Sequence, residues 1–111
     1  MVSVLSIYQN IAQITDAMLS AARADDWANV MEYGQQYCET VERLREVEPN
    51  EPPLNAAGRT IKYDLLVHIL DNDAAVRDLA MPQLKSLGEM LGRMRRQQTV
   101  LLAYQGRASN M

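Results

Sequence analysis

Apolar side chains recur along this chain at intervals of three and four residues, the spacing of helices with one face turned inward. In the first segment the positions are Val4, Tyr8, Ile11, Met18 and Ala22, widened by Leu5 and Leu19, and Thr15 fills the missing step. The stretch "ARADDW" breaks the run. Asp25 or Asp26 is suited to cap the next helix, because a short acidic side chain accepts from the free amides of a first turn. A second stripe then reads Trp27, Val30, Met31, Gly34, Tyr37, Cys38, Val41 and Leu44. Gly34 allows a neighbouring helix to approach closely, at about 1 kcal/mol in helix propensity. "EPNEPPLN" ends this second helix, since three prolines in five residues cannot continue it.

A third region runs from about Asn55 to Tyr104, with the stripe Ile61, Leu65, His68/Ile69, Asn72, Val76, Leu79, Leu84, Leu87, Leu91, Met94. Pro82 lies in its middle and removes one backbone donor, so it either starts a new helix or kinks a long one; the stripe keeps its phase across it, which favours the kink. Unbroken, a helix of this kind would rise roughly 60 Å, while each of the first two reaches about 30 Å. The end of the third region therefore has less core to lie on. The expected fold is all-α: an antiparallel bundle with helices near 3–23 and 26–47, and a third from about 56 that is kinked or broken near Pro82 and carries a C-terminal helical segment. Residues 1–105 are expected to form a single domain and 106–111 a flexible tail. Ile11, Met18, Val30, Tyr37, Val41, Leu65, Ile69, Val76 and Leu87 are the expected core.

Composition fits this reading. The 111 residues are 48% hydrophobic and 23% charged, a globular balance, and the absence of Phe leaves Leu, Ile, Val, Met and Ala to build the core. The lone Cys38 cannot form an internal disulfide, no apolar run approaches 18 residues, and "MVSVLSIYQN" lacks a basic n-region and a long apolar h-region. A cytoplasmic protein is the expectation. Charge is uneven. Residues 1–83 hold six basic and thirteen acidic side chains, net −7, whereas 84–111 hold Lys85, Arg93, Arg95, Arg96 and Arg107 against Glu89, net +4.

Candidate chemistry is sparse. His68 is the only histidine, with Asp64 and Asp71 at i−4 and i+3; three such groups would hold a metal weakly, and a histidine on the helix surface or at the edge of the core with local carboxylate pairing is the favoured account. Glu39, Glu42 and Glu46 read as a solvated acidic face, and Cys38 as a buried structural thiol. There is no phosphate loop, nucleophile elbow or zinc spacing, so neither an enzyme nor a cofactor is expected. What stands out is the end of the chain, "GRMRRQQTVLLAYQGR" at 92–107, where three arginines precede Val100, Leu101, Leu102, Ala103 and Tyr104. These apolar residues are either ordinary core or a surface for a helical partner, and spacing alone weighs both equally. Other readings are a regulatory module that grips nucleic acid or protein through the arginines, and a purely structural homo-oligomeric bundle.

The stretch "ILDNDAAVRDLAMPQLKSLGEMLGRMRRQQTVLLAYQG" resembles the FliT family of flagellar export chaperones. The features that carry the resemblance are "LDND" at 70–73, "PQLKSLGEML" at 82–91, "RRQQ" at 95–98 and "AY" at 103–104, preceded by a helical hairpin with Trp27 after an acidic turn and by a proline-rich link. The likeness spans essentially the whole chain and is most specific in its second half; unlike longer members, this sequence stops soon after "AYQG". It implies a cytoplasmic chaperone of type III export that guards the filament-cap subunit and also acts as an anti-activator of the flagellar master transcription regulator. It further implies contact with the export ATPase complex and the export gate. A terminal helix that controls access to the binding surface is implied as well, with Tyr104 docking at the gate. Met90, Leu91, Met94, Val100, Leu101 and Tyr104 are accordingly the expected partner-binding residues, with residues 93–104 as a weakly docked terminal helix. A homodimer is compatible with the same features.

Overall fold

The computed structural model describes the backbone of residues 3–109 and the side chains of residues 3–103. Three α-helices follow one another: α1 (Val4–Arg23), α2 (Trp27–Val47) and α3 (Ala56–Ser109), with a 3-10 turn at Glu48–Asn50. There is no strand among the described residues. The all-helical expectation holds, and each helix start falls within a residue or so of its expected place. The chain divides into two compact units, Met1–Leu79 and Ala80–Met111, with the boundary inside α3.

Local chemistry accounts for each start. Ser3 caps α1 by accepting from the Ser6 amide at 3.1 Å. Asp26, one of the two expected caps, accepts from the Asn29 amide at the start of α2. Its neighbour Asp25 takes the left-handed turn conformation at φ 60°, which aspartate tolerates better than most residues. Asn55 caps α3 by accepting from the Gly58 amide at 2.8 Å. Pro82 sits inside α3 without interrupting it. Of the two alternatives for this proline, the new helix is therefore not the one found.

In the first unit α1 is the most enclosed element. One cluster gathers Val4, Ile7, Tyr8, Ile11 and Ala12 of α1 around Ile69 of α3, with Tyr37, Val41, Leu44, Leu65 and Leu66 half-covered against it. A second joins Met18, Leu19, Ala21 and Ala22 to Val30 of α2 and Val76 of α3. Ile7 is 0% exposed although the stripe reading passed over it. The close approach expected at Gly34 is not found: a Cβ there would meet only Met18 Sδ of α1, at 3.9 Å, an ordinary contact. Several expectations on α2 and α3 fail, among them Ile61 and Leu79 of the third stripe, which are exposed. Met31 is 75% exposed and Cys38 is exposed, not buried, because α1 and α3 cover only the half of the α2 stripe that carries Val30, Tyr37, Val41 and Leu44. Leu87, expected in the core, is 50% exposed.

Between the two apolar clusters lies a polar layer. Thr15, fully buried, donates to the Ala12 carbonyl at 2.9 Å and accepts from Asn72 at 3.1 Å. The same Asn72 amide donates to Asp16 Oδ1 at 2.7 Å. Both residues are the polar interruptions of their stripes, and they interrupt to meet each other. Sliding α3 by one turn would set the Asn72 amide against apolar side chains without a partner, so this layer specifies register.

Candidate partner-binding surface

A few titratable groups of the first unit, Tyr8, Asp16, Glu48, Lys62 and His68, bridge its elements. His68 Nε2 lies 2.7 Å from Asp16 Oδ1, so its carboxylate partner comes from α1 and not from Asp64 or Asp71, the local pair expected from sequence. The hydrogen bond from Asn72 holds the Asp16 carboxyl below the usual carboxylate range; desolvation opposes it, and His68 adds to the lowering. The Tyr8 hydroxyl donates to Glu48 at 2.7 Å, and burial, with that carboxylate beside it, raises the phenol well above its ordinary value. Lys62 completes the corner, 3.4 Å from Glu48 and 5.4 Å above the Tyr8 ring. Glu39, Glu42 and Glu46 are exposed, as a solvated face requires. Among the described residues no three His, Cys, Asp or Glu side chains gather where a metal ion could be held.

The second unit is different in kind. From Met81 to Ala103 every side chain is exposed except at Gly92, which is half-covered. The expected partner-binding residues Met90, Leu91, Met94, Val100 and Leu101 all lie on this stretch of α3, between 48% and 64% exposed. Helical spacing brings Leu91 and Met94 onto one face, places Met90 and Leu101 at its edge, and turns Val100 away. The side chain of Tyr104 lies outside the described residues, as do residues 110 and 111 of the expected tail. Sequence reasoning missed Leu84 and Leu87 as surface residues, since they continue the stripe that is buried further back in α3, and it left Leu102 undecided between core and surface. The signal available was the change of charge along this stretch, Lys85, Arg93, Arg95 and Arg96 against Glu89 alone.

Charge and shape add detail. An open hollow lined by Arg93, Arg96, Gln97, Val100 and Leu101 is mostly apolar. A second hollow is lined by Lys85, Gly88, Glu89, Gly92, Arg93 and Arg96. A Cβ on Gly88 would meet nothing within 4 Å, and one on Gly92 only the Arg96 guanidinium at 3.9 Å. The surface thus offers exposed leucine and methionine beside a cationic strip, with no nucleophile paired to a base.

Comparison with known proteins then places the chain. A family model described as Flagellar protein FliT matches residues 5–106. This chain belongs to the FliT family. Curated FliT proteins from Yersinia pestis (strain Pestoides F) and Serratia proteamaculans are each 26% identical over 100 residues, covering 90% of this chain and 82% and 81% of theirs. A crystal structure of the flagellar protein FliT from Bordetella bronchiseptica is similar at a TM-score of 0.71 and 57% identity, over 78% of this chain and 97% of that one. The FliT resemblance carried by "LDND", "PQLKSLGEML" and "RRQQ" is therefore borne out, and with it the helical fold. No helix among the described residues is long and apolar enough to cross a membrane.

Proposed function

We propose that this FliT-family protein is a cytoplasmic chaperone of flagellar type III export that binds the filament-cap subunit before secretion, and that it also restrains the flagellar master transcription regulator. The observation that carries this reading is the run of large apolar side chains left exposed on α3 between Met81 and Leu102. Isolated exposed leucines are ordinary, but a continuous line of them on one helix has the character of a docking surface. Met90, Leu91, Met94 and Leu101 form that surface, with Val100 exposed on the other side of the helix, and methionine among them suits clients of differing shape. Tyr104 is the docking residue for the export gate, and the export ATPase complex is a further partner. The protein performs no catalysis and needs no cofactor in this role.

Support comes from family membership together with this exposure. The test uses the purified full-length chain and the filament-cap subunit in isothermal titration. A stoichiometric complex is expected, and replacing Leu91 and Met94 by Ser should weaken it by tenfold or more, given about 1.4 kcal/mol per decade of affinity. Unchanged affinity in a variant that retains its circular dichroism would place the client elsewhere.

A further inference from the structure

In the first unit, residues 63–78 of α3 carry two apolar stripes on opposite sides. The inward one, Leu65, Ile69, Asn72 and Val76, is packed into the two apolar clusters and the polar layer between them. The outward one is Tyr63, Val67, Leu70 and Ala74, at intervals of four, three and four residues. At about 100° per residue these four fall within about 60° of arc, roughly half a turn away from Asn72. Tyr63 is 68% exposed, Leu70 58% and Val67 40%. A helix with apolar residues on both sides belongs between two layers. Among the described residues, α1 and α2 supply only the inner one.

The outward stripe also has a charged edge of regular period. Its spacing is the d/a alternation of a heptad, with Tyr63 and Leu70 at d and Val67 and Ala74 at a. In that register Asp64, Asp71 and Asp78 occupy three successive e positions, seven residues apart, and all are exposed. None of the three forms an ion pair among the described residues, and the nearby cations are engaged elsewhere. Lys62 lies 3.4 Å from Glu48, and Arg77 lies 2.8 Å from Asp73. The helix beside this edge is α1, which reaches His68 through Asp16 and carries a single cation, Arg23, at its last residue. The edge is therefore negative along its whole length.

We infer that this outward face of α3 binds an α-helix of a partner protein whose apolar heptad stripe is flanked by lysine or arginine, at a place separate from the surface between Met81 and Leu102. Paired helices set the e positions of one beside the flanking positions of the other, so cations there meet Asp64, Asp71 and Asp78. Tyr63 contributes a large ring to the contact while its hydroxyl can stay in water. A second copy of this chain fits poorly. Antiparallel pairing would set e against e, aspartate facing aspartate. Parallel pairing would answer Asp64 with Arg59 and then set Asp78 against Asp73. An anionic lipid surface or a nucleic acid would be repelled by the same three aspartates.

The test uses the full-length protein and two fluorescent peptides of about three heptads, both with Leu at a and d, one with Lys and the other with Glu at e and g. By anisotropy at low salt the Lys peptide should bind at least about fivefold more tightly, as three exposed ion pairs of modest strength allow, and the gap should narrow as salt rises. Asp64→Asn with Asp71→Asn and Asp78→Asn, all on exposed positions, should abolish that preference. Glu39→Gln with Glu42→Gln and Glu46→Gln, on α2, should keep it. Val67→Ser with Leu70→Ser should weaken the Lys peptide by about tenfold, through lost apolar contact, whereas Leu91→Ser with Met94→Ser should not. Equal binding of the two peptides to the unaltered protein overturns the inference. Loss of the preference in the glutamate variant overturns it as well, by reducing the effect to overall charge. The filament-cap subunit should bind alongside the Lys peptide; mutual exclusion would assign this face to that subunit and sink the inference. Failure of the cap subunit alone defeats the functional reading and leaves the inference standing. Self-association in sedimentation that shuts out the Lys peptide would give the face to a second copy of the chain.

Discussion

Residues 56–79 and residues 80–103 belong to one helix and draw on the same side chains, yet they meet opposite fates. In the first stretch Ile69 and Val76 are buried against α1, and Asn72 is buried in its polar layer. In the second, Leu84, Leu87, Leu91 and Met94 continue the stripe and every one is at least half exposed. A helical stripe therefore states that a neighbour is wanted, without stating whether the same chain supplies it. Charge balance separates the two cases: the exposed stretch sets Lys85, Arg93, Arg95 and Arg96 against Glu89 alone, whereas the buried stretch balances Arg59, Lys62 and Arg77 with Asp64, Asp71, Asp73 and Asp78.

The sharpest way to break this contrast is truncation at matched positions. Ile7→Ala and Ile69→Ala should each cost about 2–5 kcal/mol in urea unfolding, while Leu87→Ala should change stability by less than about 0.5 kcal/mol. Similar losses at Leu87 and Ile69 would erase the distinction. Next comes the polar layer. Asn72→Ala strips the Thr15 hydroxyl of a donor and Asp16 of a hydrogen bond, for an expected loss of about 1–3 kcal/mol by the same measurement. A neutral result would mean that helix register is held by the apolar clusters alone.

Glycines give a finer probe. Gly88→Ala should raise helix stability by up to about 1 kcal/mol, seen as slower amide exchange in that turn, since the methyl enters open space. Gly58→Ala should bring no such gain, because its methyl crowds Asn55 and Leu54 at the cap of α3. The smallest effect concerns pH. Asp16 titrates lower in the folded chain than in the unfolded one, so its contribution is complete above about pH 5 and fades as pH falls through the ordinary carboxylate value and then through the lower folded one. Asp16→Asn should flatten acid unfolding in that window, and an unchanged profile would show that its bond to Asn72 adds nothing.

Much of the fold was legible before any coordinates. Asp26 and the prolines at 49, 52 and 53 punctuate the helices by local chemistry, which sequence displays directly. Thr15 and Asn72 were visible as gaps in their stripes, although not as partners. His68 was misassigned to Asp64 and Asp71 because its true partner, Asp16, lies 52 positions away, beyond the reach of helical spacing. Cys38 and Met31 were misplaced because a stripe eight residues long on α2 exceeds what two neighbours can cover. The candidate surface was legible as a list of residues, while its exposure depended on which helices stand beside it.

Trp27, the only tryptophan, stands at the start of α2, half-covered against the second apolar cluster, with its indole N–H donated to Asp25. Intrinsic fluorescence of this protein is thus a gauge of the α1–α2 hairpin. The spectrum will follow melting of that hairpin and will stay silent when a ligand without tryptophan settles among Leu84, Leu91 and Leu101, unless the arrival disturbs the hairpin itself. A shift in emission on adding such a ligand would therefore be a direct optical sign that the two units communicate.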